Sequence, residues 1–149
     1  MKICYLKDNI KYIEEFALIC HEEWGTPWKK GEEKDKLNKK VEKEKLRLEK
    51  FPTLILLDDD NLVGFVSLFE NDLDEKNYLT PWYATLYIKE EYRGRHLSKM
   101  LNDAIIKEAK KLNYKKIYLK TELENFYEKY GFKFLEQTSS GEKIYYLDI

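Results

Sequence analysis

The chain has 149 residues, a length suited to one domain, and its 43% hydrophobic and 15% aromatic content supplies a core able to bury about two-thirds of the unfolded surface. Charged residues make up 37% but cancel to a net charge of -1, which excludes a dominant nucleic-acid footprint. The longest apolar run, Phe16 to Cys20, is too short to cross a bilayer, and two cysteines with two histidines are too scattered for structural zinc. These features predict a soluble, cytoplasmic, single-domain protein over residues 1–149, with no metal and no membrane partner.

Met1 to Leu6 reads as a first strand. Asp8 or Asn9 is placed to cap a helix that carries Ile13, Phe16, Ala17, Cys20 and Trp24 on one stripe. Gly25-Thr26-Pro27 ends it. Glu32 to Lys50 has a thin helical pattern, with Leu37, Val41 and Leu48 inward and the pairs Glu32–Lys36 and Asp35–Lys39 outward, as in a lid or flank.

Thr53 to Leu57 and Leu62 to Glu70 are apolar runs joined by Asp58-Asp59-Asp60-Asn61, which predicts a hairpin, with Gly64 marking a bulge. After a polar loop, Asn71 to Thr80, a fourth strand runs from Pro81 to Ile88. Leu97, Leu101, Ala104, Ile105, Ala109 and Leu112 give the next helix, closed by Asn113 in the left-handed conformation. Lys115 to Lys120 is a fifth strand, parallel to the fourth because a helix joins them. Asn125 to Tyr130 reads as a short helix ended by Gly131, and Phe132 to Gln137 with Lys143 to Ile149 as two closing strands. The expected fold is therefore α/β (α+β): a mixed, mostly antiparallel sheet of about seven strands flanked by about four helices.

The segment Leu86-Tyr87-Ile88-Lys89-Glu90-Glu91-Tyr92-Arg93-Gly94-Arg95-His96-Leu97-Ser98 runs from a strand through a basic turn into a helix. Turn amides and the free donors of the helix's first turn converge there with the positive end of its dipole, which suits a diphosphate. Three of the 27 basic residues are arginine, and two of them, Arg93 and Arg95, flank Gly94. Guanidinium offers planar, multi-donor hydrogen bonds that lysine lacks.

With this order of elements, Arg93-Gly94-Arg95-His96-Leu97-Ser98 and Tyr127-Glu128-Lys129-Tyr130-Gly131-Phe132 together make the chain resemble the GNAT N-acetyltransferase family over nearly its whole length. Two positions depart from the family pattern, His96 in place of glycine and Ser98 in place of glycine or alanine. The resemblance implies transfer of an acetyl group from acetyl-CoA to a primary amine. It also implies that the fourth and fifth strands splay, so that Leu86, Tyr87 and Ile88 pair with the pantetheine arm and offer a backbone N–H to the oxyanion, while residues 93–98 hold the pyrophosphate. Tyr127 matches the family's tyrosine and is the candidate general acid for the departing thiolate.

The fourth strand lacks the glutamate that some relatives carry, so the base is Glu70, Glu22 or a water chain. Trp24, Trp28, Trp82 and Tyr83 are candidates to line an acceptor pocket, with Asp72, Asp74 and Glu75 drawing in a cation. The acceptor is a small-molecule or peptide amine, and the closing strands offer an edge for a homodimer. A non-catalytic acyl-CoA sensor is the alternative. The Lys-rich second helix is interleaved with acids, which argues against a nucleic-acid partner, and no dinucleotide or P-loop glycine pattern occurs.

Overall fold

A computed structural model describes residues 1–76 and 78–149, so that Asn77 of the loop from Asn71 to Thr80 lies outside the described residues. Seven strands form one sheet: β1 (Lys2–Tyr5), β2 (Thr53–Asp58), β3 (Asn61–Phe69), β4 (Trp82–Ile88), β5 (Lys116–Thr121), β6 (Lys133–Gln137) and β7 (Lys143–Asp148). Their spatial order is β1-β2-β3-β4-β5-β7-β6, with β4 and β5 parallel and every other neighbouring pair antiparallel. Three α-helices accompany the sheet: α1 (Ile13–Trp24), α2 (Glu33–Leu48) and α3 (Leu97–Lys111). The fourth helix expected at Asn125 to Tyr130 is instead a 3-10 turn over Tyr127–Tyr130, closed by Gly131 at φ +93°.

The apolar runs of β2 and β3 are continuous because both of their faces are covered. Leu54, Leu56, Val63, Val66 and Leu68 meet Leu97, Leu101, Ile105 and Ala109 of α3 on one side. On the other, Ile55, Leu57, Leu62 and Phe65 meet Phe16, Ala17 and Cys20 of α1 and Val41 and Leu48 of α2. The cluster that holds α3 also takes in Ile117, Leu119 and Tyr145 of the second half of the sheet, while α3 itself packs on β2, β3 and β4, and the α1/α2 core is confined to the first half.

Gly64 sits beside the register shift of β2 against β3, and its reason lies across the sheet. A Cβ there would lie 2.5 Å from the Tyr87 carbonyl oxygen and 2.7 Å from Ile88 Cδ1, so glycine is what lets β3 approach β4. Asn113 closes α3 at φ +68°, as its left-handed tolerance predicts.

Four local expectations change. Asp8 and Asn9 do not cap α1: two 3-10 turns, Leu6–Asp8 and Ile10–Tyr12, precede it, and the Asn9 amide donates back to the Tyr5 carbonyl at 2.9 Å. Trp24, the last residue of α1, is 53% exposed because the helical stripe has run past the core by then. Neither Glu32–Lys36 nor Asp35–Lys39 forms an ion pair among the described residues; α2 instead pairs Glu42 with Lys45 at 3.3 Å and Glu44 with Arg47 at 2.7 Å. Phe132 lies just before β6, buried.

Candidate active site

The site starts from a break in the sheet. Strands β4 and β5 share one pair, Trp82 with Tyr118, supported by the Tyr118 N–H donating to the Pro81 carbonyl at 3.1 Å. Beyond it, β4 continues for six residues without a partner on that edge. Lys89 donates to the Val63 carbonyl at 2.8 Å, so by the alternation of an antiparallel ladder Ile88 turns its N–H and C=O toward the gap. Leu86, two residues earlier, shares that orientation.

Along β4 the phase of the side chains shifts once. Phe65 pairs with Tyr87 but Ser67 pairs with Ala84, so Thr85 and Leu86 together oppose Val66. Thr85 adopts φ +54°, a left-handed conformation that costs an L-residue with a Cβ about 1–2 kcal/mol. Because of this bulge, Tyr83, Leu86 and Ile88 all face the α3 core, while Tyr87 packs toward α1 and α2.

At the far end of β4 the chain makes the basic turn. Gly94 sits at φ +82° and His96 at φ +59°, ψ +24°, directly before α3. His96 therefore departs from the helical dihedrals that would keep its amide in the first turn, and takes the left-handed conformation for which glycine is the natural residue. No side chain caps α3, and the amides of Gly94, Arg95 and His96 donate to no backbone acceptor among the described residues. Arg93 Nε donates to the Ile88 carbonyl at 2.8 Å, which stitches the turn to the strand end and leaves both Nη groups free of protein acceptors among the described residues. Its guanidinium lies 5.6 Å from the centre of the Tyr87 ring, and that of Arg95 lies 5.3 Å from Tyr92. Leu97 anchors the helix start in the core.

The second flank carries Tyr127. Its ring stands edge-on to Tyr83 and to Phe132, each at 5.9 Å, and to Phe126 at 4.8 Å. Burial, with the neighbouring Tyr130 hydroxyl adding to it, pushes the Tyr127 phenol up to about 12. It is an O–H donor throughout the neutral range. Tyr83 is 3% exposed, its hydroxyl has no partner among the described residues, and burial raises it well above its ordinary value.

The other candidates separate. Trp82 is fully buried with its indole N–H donating to the Leu79 carbonyl at 2.8 Å, so it is a core residue and not a pocket wall. Trp28 stacks on His21 with ring centres 3.5 Å apart, beside a cavity of about 430 Å³ between α1 and α2 lined also by Lys29, Lys36 and Lys40. Glu22 and Trp24 are exposed at the end of α1, and Glu70 is exposed one residue past β3. Neither glutamate has a hydrogen-bond or ion-pair partner among the described residues. Of the acidic loop, Glu75 is taken by the Ser139 hydroxyl at 3.0 Å, and Asp72 is the perturbed group, pushed up to about 6 by burial against the counteracting charge of Lys120. Sequence reasoning did not single out Thr85, whose type gives no sign of a left-handed backbone.

A strand edge left open, a left-handed basic turn at a helix start and a half-buried tyrosine beside them coincide with one family description: the acetyltransferase (GNAT) family model matches residues 13–132. The chain belongs to the GNAT acetyltransferase family. Comparison with curated proteins finds no match. Among solved structures, this GNAT chain is similar to the PaiA N-acetyltransferase from Thermoplasma acidophilum in complex with coenzyme A, at 24% identity and a TM-score of 0.68, with 100% of each chain covered. It is similar to an aminoglycoside 6'-N-acetyltransferase complexed with coenzyme A, at 15% identity and a TM-score of 0.75, covering 99% of this chain and 97% of the other. An aminoglycoside 6'-acetyltransferase type Ii gives 17% identity and a TM-score of 0.72, with 99% and 97% covered. At these identities the likeness is one of fold. No helix is long and apolar enough to cross a membrane, and no cluster of three metal-ligating side chains occurs among the described residues.

Proposed function

We propose that this GNAT protein is an acetyl-CoA-dependent N-acetyltransferase acting on a primary amine. The observation that carries the reading is the gap between β4 and β5: it is open from Tyr83 to Ile88, leads to the free amides at Gly94, and is flanked by a protonated tyrosine. A diphosphate fits the amides of residues 94–98 with Arg93 and Arg95 beside them. The pantetheine arm lies along Leu86 and Ile88, whose gap-facing backbone groups, other than the Ile88 carbonyl that Arg93 occupies, bind it as an added strand. A backbone N–H of this edge receives the carbonyl oxygen as the amine nitrogen attacks the thioester carbon. The C–S bond then breaks, Tyr127 donates its O–H to the departing sulfur, and the amine's surplus proton leaves through water, Glu70 or Glu22.

Two further points support the reading. Left-handed His96 keeps the backbone path that a glycine would give, so the departure from the family pattern costs strain and not the site. Half-buried Asp72 places a negative group near the loop before β4, where a cationic amine is attracted. The test is incubation with acetyl-CoA and a panel of amines, following release of free thiol. Release that depends on an amine supports the assignment. Cofactor binding without thiol release for any amine replaces it with a sensor.

A further inference from the structure

One buried polar chain has no part in the chemistry above. Arg47 on α2, the only arginine outside the basic turn, forms a largely buried ion pair with Glu44 at 2.7 Å and donates through Nη2 to Thr53 Oγ1 on β2 at 2.6 Å. Thr53 Oγ1 and Ser67 Oγ on β3 lie 2.6 Å apart, and both residues are fully buried. Thr85 Oγ1 on β4 donates to Ser67 Oγ at 2.8 Å. Arg47 Nη1 also donates to the carbonyls of Phe51 and Leu68, each at 3.3 Å, so the guanidinium is held at several points. An unbroken line of hydrogen bonds thus runs from a helix across three strands and ends on the bulge residue of β4.

Both ends of this line are unusual. At one end stands a guanidinium, which stays charged and accepts nothing, so the chain cannot conduct a proton; it can only fix the positions of oxygen atoms. At the other stands a β-branched residue at φ +54°, a conformation it does not hold unaided. The hydrogen bond to Ser67 is the contact that ties the Thr85 side chain to its neighbours. Thr85 in turn decides which way the next amide, that of Leu86, faces.

We propose that Arg47, acting through Thr53 and Ser67, is a positioning residue that holds the Thr85 bulge and thereby aims the Leu86 amide into the gap between β4 and β5. The purpose of that aim, to receive a thioester carbonyl, rests on the acetyl-transfer reading; the positioning itself does not. It makes α2, which is otherwise a flank of the α1/α2 core, part of the support of the reaction centre.

The test is Ser67→Ala in the full chain, with Thr53→Val as the second variant should the first fold poorly. Four quantities are read: kcat, KM for acetyl-CoA, the melting temperature, and the amide resonances of Leu86 and Tyr87 in a ¹H–¹⁵N spectrum. The expected result is a kcat lowered about tenfold, since small misplacements of a reacting geometry are costly, with KM for acetyl-CoA changed less than about twofold and the Leu86 resonance shifted. Adding Thr85→Gly to Ser67→Ala recovers most of the lost kcat, because glycine keeps the left-handed bend without a hydroxyl partner. An unshifted Leu86 resonance, or a kcat loss that Thr85→Gly leaves in place, overturns the proposal. If the unaltered protein acetylates no amine, the acetyl-transfer reading falls, and the Leu86 resonance alone decides the positioning.

Discussion

The Ser98 hydroxyl and the Tyr130 hydroxyl lie 3.2 Å apart, which fastens the first turn of α3 to the 3-10 turn that carries Tyr127. Two motifs about thirty residues apart in the chain are thereby held as one wall of the gap, and Tyr127 is fixed by the aromatic rings of Tyr83, Phe126 and Phe132. Tyr127→Phe keeps those ring contacts and removes only the O–H. It is expected to lower kcat by ~10²-fold with coenzyme A affinity retained, measured by thiol release and calorimetry. Because the phenol titrates only at about 12, no loss of rate attributable to it should appear on the alkaline side below pH 11 or so. Unchanged turnover in the variant moves the acid to another group.

His96 bends left-handed at the mouth of the proposed diphosphate site, where its Cβ contributes strain and its side chain caps nothing among the described residues. His96→Gly is expected to stabilise the fold by about 1 kcal/mol, read as a shift in the denaturant midpoint, and to leave coenzyme A affinity equal or higher. His96→Val, with a branched Cβ at the same dihedrals, should destabilise and weaken cofactor binding. A valine variant as stable as the parent would show that the turn relaxes elsewhere.

Cys20 and Tyr127 make the fold sensitive to alkali. Burial raises the Cys20 thiol from an ordinary value of 9.0 to about 12, and the Tyr127 phenol from 10.0 to about 12. Above pH 9 the unfolded chain releases the Cys20 proton while the folded chain keeps it, so the stability present below pH 9 is lost as the pH rises toward 12, at about 1.4 kcal/mol per pH unit for this group. Tyr127 adds to the slope from pH 10 upward. Chemical denaturation at stepped pH should give a plateau to about pH 9 and then a decline, and Cys20→Ala should make the decline between about pH 9 and 10 much shallower, leaving the smaller share of Cys4, whose thiol burial also raises. An identical slope in the variant would sink the assignment.

Gly64→Ala places a methyl against the Tyr87 carbonyl oxygen, which as backbone cannot swing aside. The expected cost is about 1–3 kcal/mol of stability, with KM for acetyl-CoA raised because β4 itself is displaced. Thermal melting and steady-state kinetics on the same sample check both. A melting temperature within error of the parent would mean that the strands separate at this point without penalty.

Much of this was legible in the sequence. The seven strands follow from apolar runs bounded by turn residues, and α3 from its 3.6-residue stripe, because both patterns report burial directly. The order of β4, α3 and β5 was enough to make the two strands parallel. What escaped was backbone conformation at residues whose type does not announce it: Thr85 and His96 are left-handed although neither is glycine, and nothing local to them says so. Trp82 is core, which its type does not announce: an aromatic residue at a strand start reads alike as core or as pocket wall, and only the neighbouring elements distinguish them. The rarity of arginine points to Arg93 and Arg95 through the glycine between them, while Arg47, inside a lysine-rich helix with no such neighbour, carries the buried network.

The lone Trp82–Tyr118 pair makes a seam down the middle of the protein. Four strands lie on one side of it and three on the other, like two pages of an open book. Any long, extended molecule that settles along the fold line adds backbone bonds to the first leaf and apolar contact to the second, so it closes the book from within. Its occupancy should register in slowed amide exchange on both pages at once, far beyond the few residues it touches.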